Sequence, residues 1–196
     1  MISGPRAGHW QAGFFFLLSG SSVLAQKGED ITFKADSVSF DLQLGQSVYQ
    51  RLTLSDSHIS IDAAEGTTRS LEGGGGVWEL RGGLRVTVDG AVLTANSGTF
   101  RYASGRLTQG ELLGSPATLD AATGSEPRPF HVTAGRIAYD ALQRILRVSE
   151  GAVLSSEEVE LEKFSWVYDL GARTMQGSSD TDSPCKGRVK PKLSGP

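Results

Sequence analysis

Val77-Trp-Glu-Leu-Arg-Gly-Gly-Leu-Arg-Val-Thr-Val88 decides the fold. Trp78, Leu80, Leu84, Val86 and Val88 share the even phase, while Glu79, Arg81, Arg85 and Thr87 hold the odd one. Successive side chains of an extended strand point to opposite faces. The stretch therefore has one apolar face and one charged face, with Gly82-Gly83 as a kink or bulge between its halves. A strand with one wet face belongs in an antiparallel sheet.

The same alternation recurs along the chain. It is present at 50–54 (Leu52, Leu54), 58–62 (Ile59, Ile61), 130–134, 144–148 (Leu146, Val148) and 164–168 (Phe164, Trp166, Tyr168). The segment 155–163 carries a capping-box pattern, Ser155 to Glu158. There Val159 and Leu161 nevertheless alternate with glutamates, which is strand spacing. Apolar residues nowhere keep helical spacing for three turns, so the chain is expected to be all-β, with about a dozen or more short strands. Glycine, 25 of 196 residues, is about twice its usual share of ~7% and falls between the strands. Turns are expected at 41–45, 89–90, 103–105, 149–151 and 169–171. Asp89-Gly90 is the strongest of these, because both central residues of a type I′ turn need positive φ. Residues 64–76 read as a flexible insertion, 121–129 as a loop, and 177–196 as a disordered polar tail.

Composition narrows the function. Net charge is −3; the first 25 residues contribute +1 and the last twenty +2, so the middle carries −6. Such a surface repels nucleic acid and anionic membranes at long range. The single cysteine, Cys185, excludes an internal disulfide, and three histidines leave little for a metal site. The start of the chain reads as an address: Arg6, an apolar run from Ala12, and Val23 and Ala25 in the −3 and −1 places of a signal-peptidase site. The run is shorter than the ~20 residues of a spanning helix. A cleaved signal over 1–25, a folded domain over 26–176 and an exported mature chain are expected. An uncleaved anchor is the alternative.

A repeat runs through the domain. Ala35-Asp-Ser-Val-Ser-Phe-Asp41, Ala95-Asn-Ser-Gly-Thr-Phe-Arg101 and Ala134-Gly-Arg-Ile-Ala-Tyr-Asp140 follow one pattern, and Leu161-Glu-Lys-Phe-Ser-Trp-Val-Tyr-Asp169 fits after a shift of two. Each leads to a turn and a new strand, as stacked strand-turn-strand units would. This order, together with Gly114-Ser-Pro-Ala-Thr-Leu119, resembles the OstA/LptA-type periplasmic lipopolysaccharide-transport proteins. The likeness covers about 77–176 and, more weakly, 31–63. The chain departs from the family in a longer, glycine-richer segment after Asp41 and in Leu161-Glu-Lys. The resemblance implies an open, folded-over antiparallel β-jellyroll with an apolar groove for lipid A acyl chains. It also implies related transport components at the inner and outer membranes as partners.

The physics of that task is simple. Acyl chains gain about 0.8 kcal/mol per buried methylene, so a multi-chain lipid needs a dry trough to cross water. The residues expected to line it are Trp78, Leu80, Leu84, Val86, Val88, Phe100, Leu119, Val132, Tyr139, Leu146, Val148, Leu161, Phe164 and Trp166. The same residues would face inward in a sandwich with a closed core, and periodicity does not separate the two. Arg81 and Arg85 fall on the outward phase, as a solvated face or as a rim for lipid phosphates. Catalysis is not expected: His58 and His131 are the only histidines of the expected mature chain, and His58 lies beside Asp56 and Ser57, but there is no Gly-x-Ser-x-Gly elbow. No cofactor or metal is called for. An exported structural or adhesin-like β-repeat is the remaining alternative. Terminal strands of an open sheet accept a partner's strand, so stacking is expected at 31–40 and 164–175, with related components or with itself.

Overall fold

The computed structural model describes residues 31–71, 75–124, 128–177 and 184–191, with Lys163 and Phe164 described in their backbone alone. The proposed leader, 1–25, lies outside the described residues. The chain is all-β. Its strands are β1 (Thr32–Lys34), β2 (Ser37–Asp41), β3 (Gln46–Ser55), β4 (Ile59–Leu71), β5 (Gly75–Val88), β6 (Ala91–Ala103), β7 (Arg106–Thr123), β8 (Arg128–Asp140), β9 (Ile145–Ser155), β10 (Val159–Asp169), β11 (Thr174–Gly177) and β12 (Lys186–Val189). From β3 to β11 each strand pairs antiparallel with the next, and β1 and β2 both pair with β3.

One line of irregularities crosses this meander. The register slips between Asp62 and Glu65 in β4, Arg81 and Leu84 in β5, Thr94 and Ser97 in β6, Leu113 and Ala117 in β7, Thr133 and Arg136 in β8, and Lys163 and Ser165 in β10. Bulges bend a strand and raise its twist. Aligned in neighbouring strands, they crease the sheet and fold each long strand into two halves. Gly82 and Gly83 take φ of +84° and +83° at the crease, a region that costs a side chain about 1–2 kcal/mol per residue. Glu150-Gly151 does the same inside β9, with φ of +68° and +76°. The expected turn at 149–151 is thus a bulge, since its flanking strands continue rather than reverse.

The halves close face to face over one apolar interior. Residues 46–50, 65–71, 75–81, 97–103, 106–113, 136–140, 145–149 and 165–169 form the first half, and the complementary portions form the second. Leu52, Leu54, Ile61, Leu80, Phe100, Leu112, Leu119, Ile137 and Leu146 are sealed from solvent. Burying each such side chain contributes about 1.5–3 kcal/mol.

Three other expectations change. Residues 64–76 do not make an insertion: β4 runs to Leu71 and β5 starts at Gly75, paired Leu71 to Gly75. The ring of Tyr102 lies where a side chain on Gly76 would go, so the glycines serve packing as well as flexibility. The loop at 121–129 is shorter, since β7 reaches Thr123 and β8 starts at Arg128. The tail is not wholly outside the fold: Lys186–Val189 form β12 against Val159–Glu162 of β10. Lys190 anchors it, with Nζ donating to Ser155 Oγ at 2.7 Å and to the Ser156 carbonyl at 2.8 Å.

Candidate functional site: the interior and its ends

The repeating pattern builds an apolar interior along the sheet. Trp78, Leu80, Leu84, Val86, Val88, Phe100, Leu119, Val132, Tyr139, Leu146, Val148 and Trp166 all point into it and are buried, none more than 7% exposed. Leu161 is half-buried near one end. The side chain of Phe164 lies outside the described residues. Over the middle of the sheet these residues pack on one another. Leu93, Leu112 and Ile137 complete the interior; the alternation of β6, β7 and β8 places them there too.

The strands of the two halves diverge from the crease. At the mouth opposite it, the β5–β6 turn meets the β8–β9 turn, since Arg144 Nη2 donates to Asp89 Oδ2 at 2.8 Å. β7 meets β10, where Tyr168 Oη donates to the Ala122 carbonyl at 2.7 Å. The β7–β8 turn meets the β10–β11 turn, where Gly124 N donates to the Arg173 carbonyl at 3.0 Å. Each contact joins elements three places apart in the strand order. The halves are therefore offset by about three strands at the mouth, roughly 14 Å at ~4.8 Å per strand.

The offset leaves part of the inner face uncovered at both ends. At the β2 end, Val38 and Phe40 face inward in register with Tyr49 and Ser47, yet Phe40 is 70% exposed. At the β12 end, Val189 is in register with Val159 and is 80% exposed. Aromatic side chains stand between each end and the closed middle. Phe33, Tyr49 and Trp78 cluster at one end, with ring centroids 4.9–6.3 Å apart. Phe130 meets Tyr168 edge-on at 5.3 Å near the other. Beside this second pair a cleft of about 610 Å³ opens, floored by Phe130, Leu154 and Met175 and rimmed by Arg128, Glu157 and Glu158.

Polar groups inside are few. Trp166 Nε1 and Thr68 Oγ1 are buried without a hydrogen-bond partner, each at a cost of about 1–3 kcal/mol. Burial, then the carboxylates of Asp56 and Asp89, push the Tyr139 phenol up to about 12. Arg81 and Arg85 lie on the exposed face, as their phase predicts. His131 Nδ1 is 2.7 Å from Asp120 Oδ1 on the same outer face. Among the described residues no group of three His, Cys, Asp or Glu could hold a metal ion.

No family profile and no curated protein sequence matches the chain. Among solved structures it is similar to LptH of Pseudomonas aeruginosa, described as the LptA homologous periplasmic component of the conserved lipopolysaccharide transport device. Identity is 15%, the match covers 83% of this chain and 96% of that one, and the TM-score is 0.40. A superposition that loose carries no weight for fold or function, and the architecture above stands on this chain's own strand pairing.

Proposed function

We propose that the chain is a periplasmic lipid-binding module that carries lipopolysaccharide between membranes as one unit of a protein bridge. The observation that carries this reading is the inner apolar face, which continues uncovered at both ends of the folded sheet. An isolated domain gains nothing by leaving Phe40 and Val189 in water. A unit that continues its interior into a neighbour has a use for both. The edges support the same reading. At one end stand β1 and β2, at the other β11 and β12, each with unpaired backbone groups ready for another strand. The second edge differs from the one expected at 164–175: β10 is paired on both sides, by β9 and by β11 with β12. The 610 Å³ cleft, with its apolar floor and charged rim, suits an acyl chain with a polar head outside.

The signal sequence read at 1–25 and the resemblance to OstA/LptA-type proteins support a periplasmic role, either as a soluble bridge or as the membrane-anchored LptC-like partner. A second reading, an exported structural β-repeat that binds no lipid, is favoured by one observation: the middle of the interior is filled by the chain's own side chains.

Photo-crosslinking separates the two. A crosslinking amino acid at Met175 or Phe40, in cells that make lipopolysaccharide, should give a lipid adduct. Adducts absent at both positions, with no lipopolysaccharide in the mass spectrum of the purified chain, would leave the structural repeat standing. Removal of 184–196 takes away β12 and should abolish association through that end; crosslinked oligomers that persist unchanged would refute the edge assignment.

A further inference from the structure

The mouth opposite the crease carries an ion-pair clasp. Asp89 and Arg144 come from turns of opposite halves, 55 residues apart. Both sit in left-handed backbone, φ +46° and +54°. That conformation costs a residue with a side chain about 1–2 kcal/mol. Two other turns have the same form: Asp41 starts one that reaches left-handed Gly45 and Asp169 one that reaches left-handed Arg173, as Asp140 starts the one that reaches Arg144. At this turn the guanidinium of Arg144 reaches across to Asp89. Asp89 is the more enclosed partner, its side chain 18% exposed against 53% for Arg144. His58 Nδ1 stands 3.5 Å from the other Asp89 oxygen.

A cleft of about 310 Å³ lies beside the pair. Its floor is Leu107, Tyr139 and Ala141, of which Leu107 and Tyr139 belong to the interior. Leu142, 91% exposed, stands on its rim with Arg106. The cleft joins an apolar floor, a rim that carries Arg106 and Arg144 beside Asp56 and Asp89, and the seam between the halves in one place.

We propose that Asp89–Arg144 is a latch on a side entrance to the interior, opened when the anionic head group of an amphiphile replaces the Asp89 carboxylate on Arg144. The exchange makes and breaks no covalent bond. A phosphate or carboxylate head takes the guanidinium's two-pronged donor face, and the freed turns part over Leu107 and Tyr139 for the chain to follow. This deepens the lipid-carrier reading and rests on it.

The test uses the full chain with Trp10→Phe, so that Trp78 and Trp166 report from the interior. Bromododecyl phosphate and bromododecyl maltoside, both below micelle-forming concentrations, are compared as quenchers of tryptophan fluorescence. In the native pair, half-quenching should need several-fold less of the phosphate than of the maltoside. Arg144→Gln should abolish this preference, and Arg144→Lys should keep it. Asp89→Asn should let both probes in at about threefold lower concentration, the scale of a partly exposed ion pair, while the preference for phosphate remains. Near-UV circular dichroism of each variant identifies any that fail to fold, and Arg144→Lys against Arg144→Gln decides the matter at equal size. A head-group preference that survives Arg144→Gln, or an Asp89→Asn variant no easier to enter, overturns the latch even when lipopolysaccharide is recovered with the chain. Quenching by neither probe overturns it too, and if no lipopolysaccharide is recovered the carrier reading falls with it.

Discussion

Gly110→Ala tests whether the middle of the interior is as tightly filled as its burial indicates. Gly110 on β7 faces Phe100 on β6 in direct register. Phe100 is fully buried, and one edge of its ring occupies the space over Gly110. A methyl group there would sit 2.6 and 2.7 Å from two ring carbons. Ordinary contact begins at 3.4 Å, so the ring must retreat by about 0.8 Å. Overpacking of this kind costs about 1–3 kcal/mol. Backbone strain does not contribute, because Gly110 is outside the left-handed region. The stiffer unfolded chain returns about 0.4–1 kcal/mol, so a net loss of about 1–2 kcal/mol is expected. Phe100→Ala alone should cost about 3–5 kcal/mol. The double variant should cost no more than Phe100→Ala, because the added methyl then enters emptied space. Urea unfolding of the four proteins, read as midpoints at constant slope, gives the coupling. Equal costs for Gly110→Ala in both backgrounds, within ~0.5 kcal/mol, would refute the wedge and with it the filled interior.

Gly82→Ala should destabilise more than Gly83→Ala. Both have positive φ, but only at Gly82 would the new methyl meet Ala64 Cβ, at 2.6 Å; melting temperatures in the reverse order would contradict the crease geometry. The folded chain keeps Tyr139 neutral up to about 12, against the 10.0 of an ordinary tyrosine. Its contribution to stability is therefore intact below pH 10 and lost as pH rises from 10 to about 12. Urea midpoints should fall over that window, and fall less in Tyr139→Phe; identical alkaline profiles would count against it. Trp166→Phe removes a buried indole N–H that has no partner, so its cost should fall below the ~3–5 kcal/mol of emptying an aromatic site. A loss in that upper range by calorimetry would mean that the N–H is satisfied in solution.

Much of the interior was legible from alternation alone, since the phase of Trp78, Leu80, Leu84, Val86 and Val88 holds through the glycine pair. The crease was harder. Asp89-Gly90 and Glu150-Gly151 have nearly the same backbone, with φ of +46° and +85° in one and +68° and +76° in the other, yet the first reverses the chain and the second only bends it. Both local sequences read as turns, Asp89-Gly90 the more strongly; what decides between them is the register of the neighbouring strand. The segment after Ala64 looked like a loop because it is rich in glycine, and the Tyr102 ring that needs Gly76 bare lies 26 residues on, across the sheet. Gly187 in the tail is similar: a side chain there would meet Leu161 at 2.5 Å, a contact invisible to composition. The pairing of Asp89 with Arg144 follows from the offset of the two halves, which no short stretch of sequence encodes.

That offset also works as a ruler. Because the half-sheets are displaced by about three strands, the two bare margins keep the same width however many strands lie between them. One more hairpin inserted at any turn would lengthen the roofed section by about 10 Å, two strand spacings, and leave both margins as they are. A chain with only half as many strands would be nearly all margin. Lengthening by gene-level duplication of a strand pair is therefore a gentle change for this architecture, whereas shortening it soon removes the shelter itself.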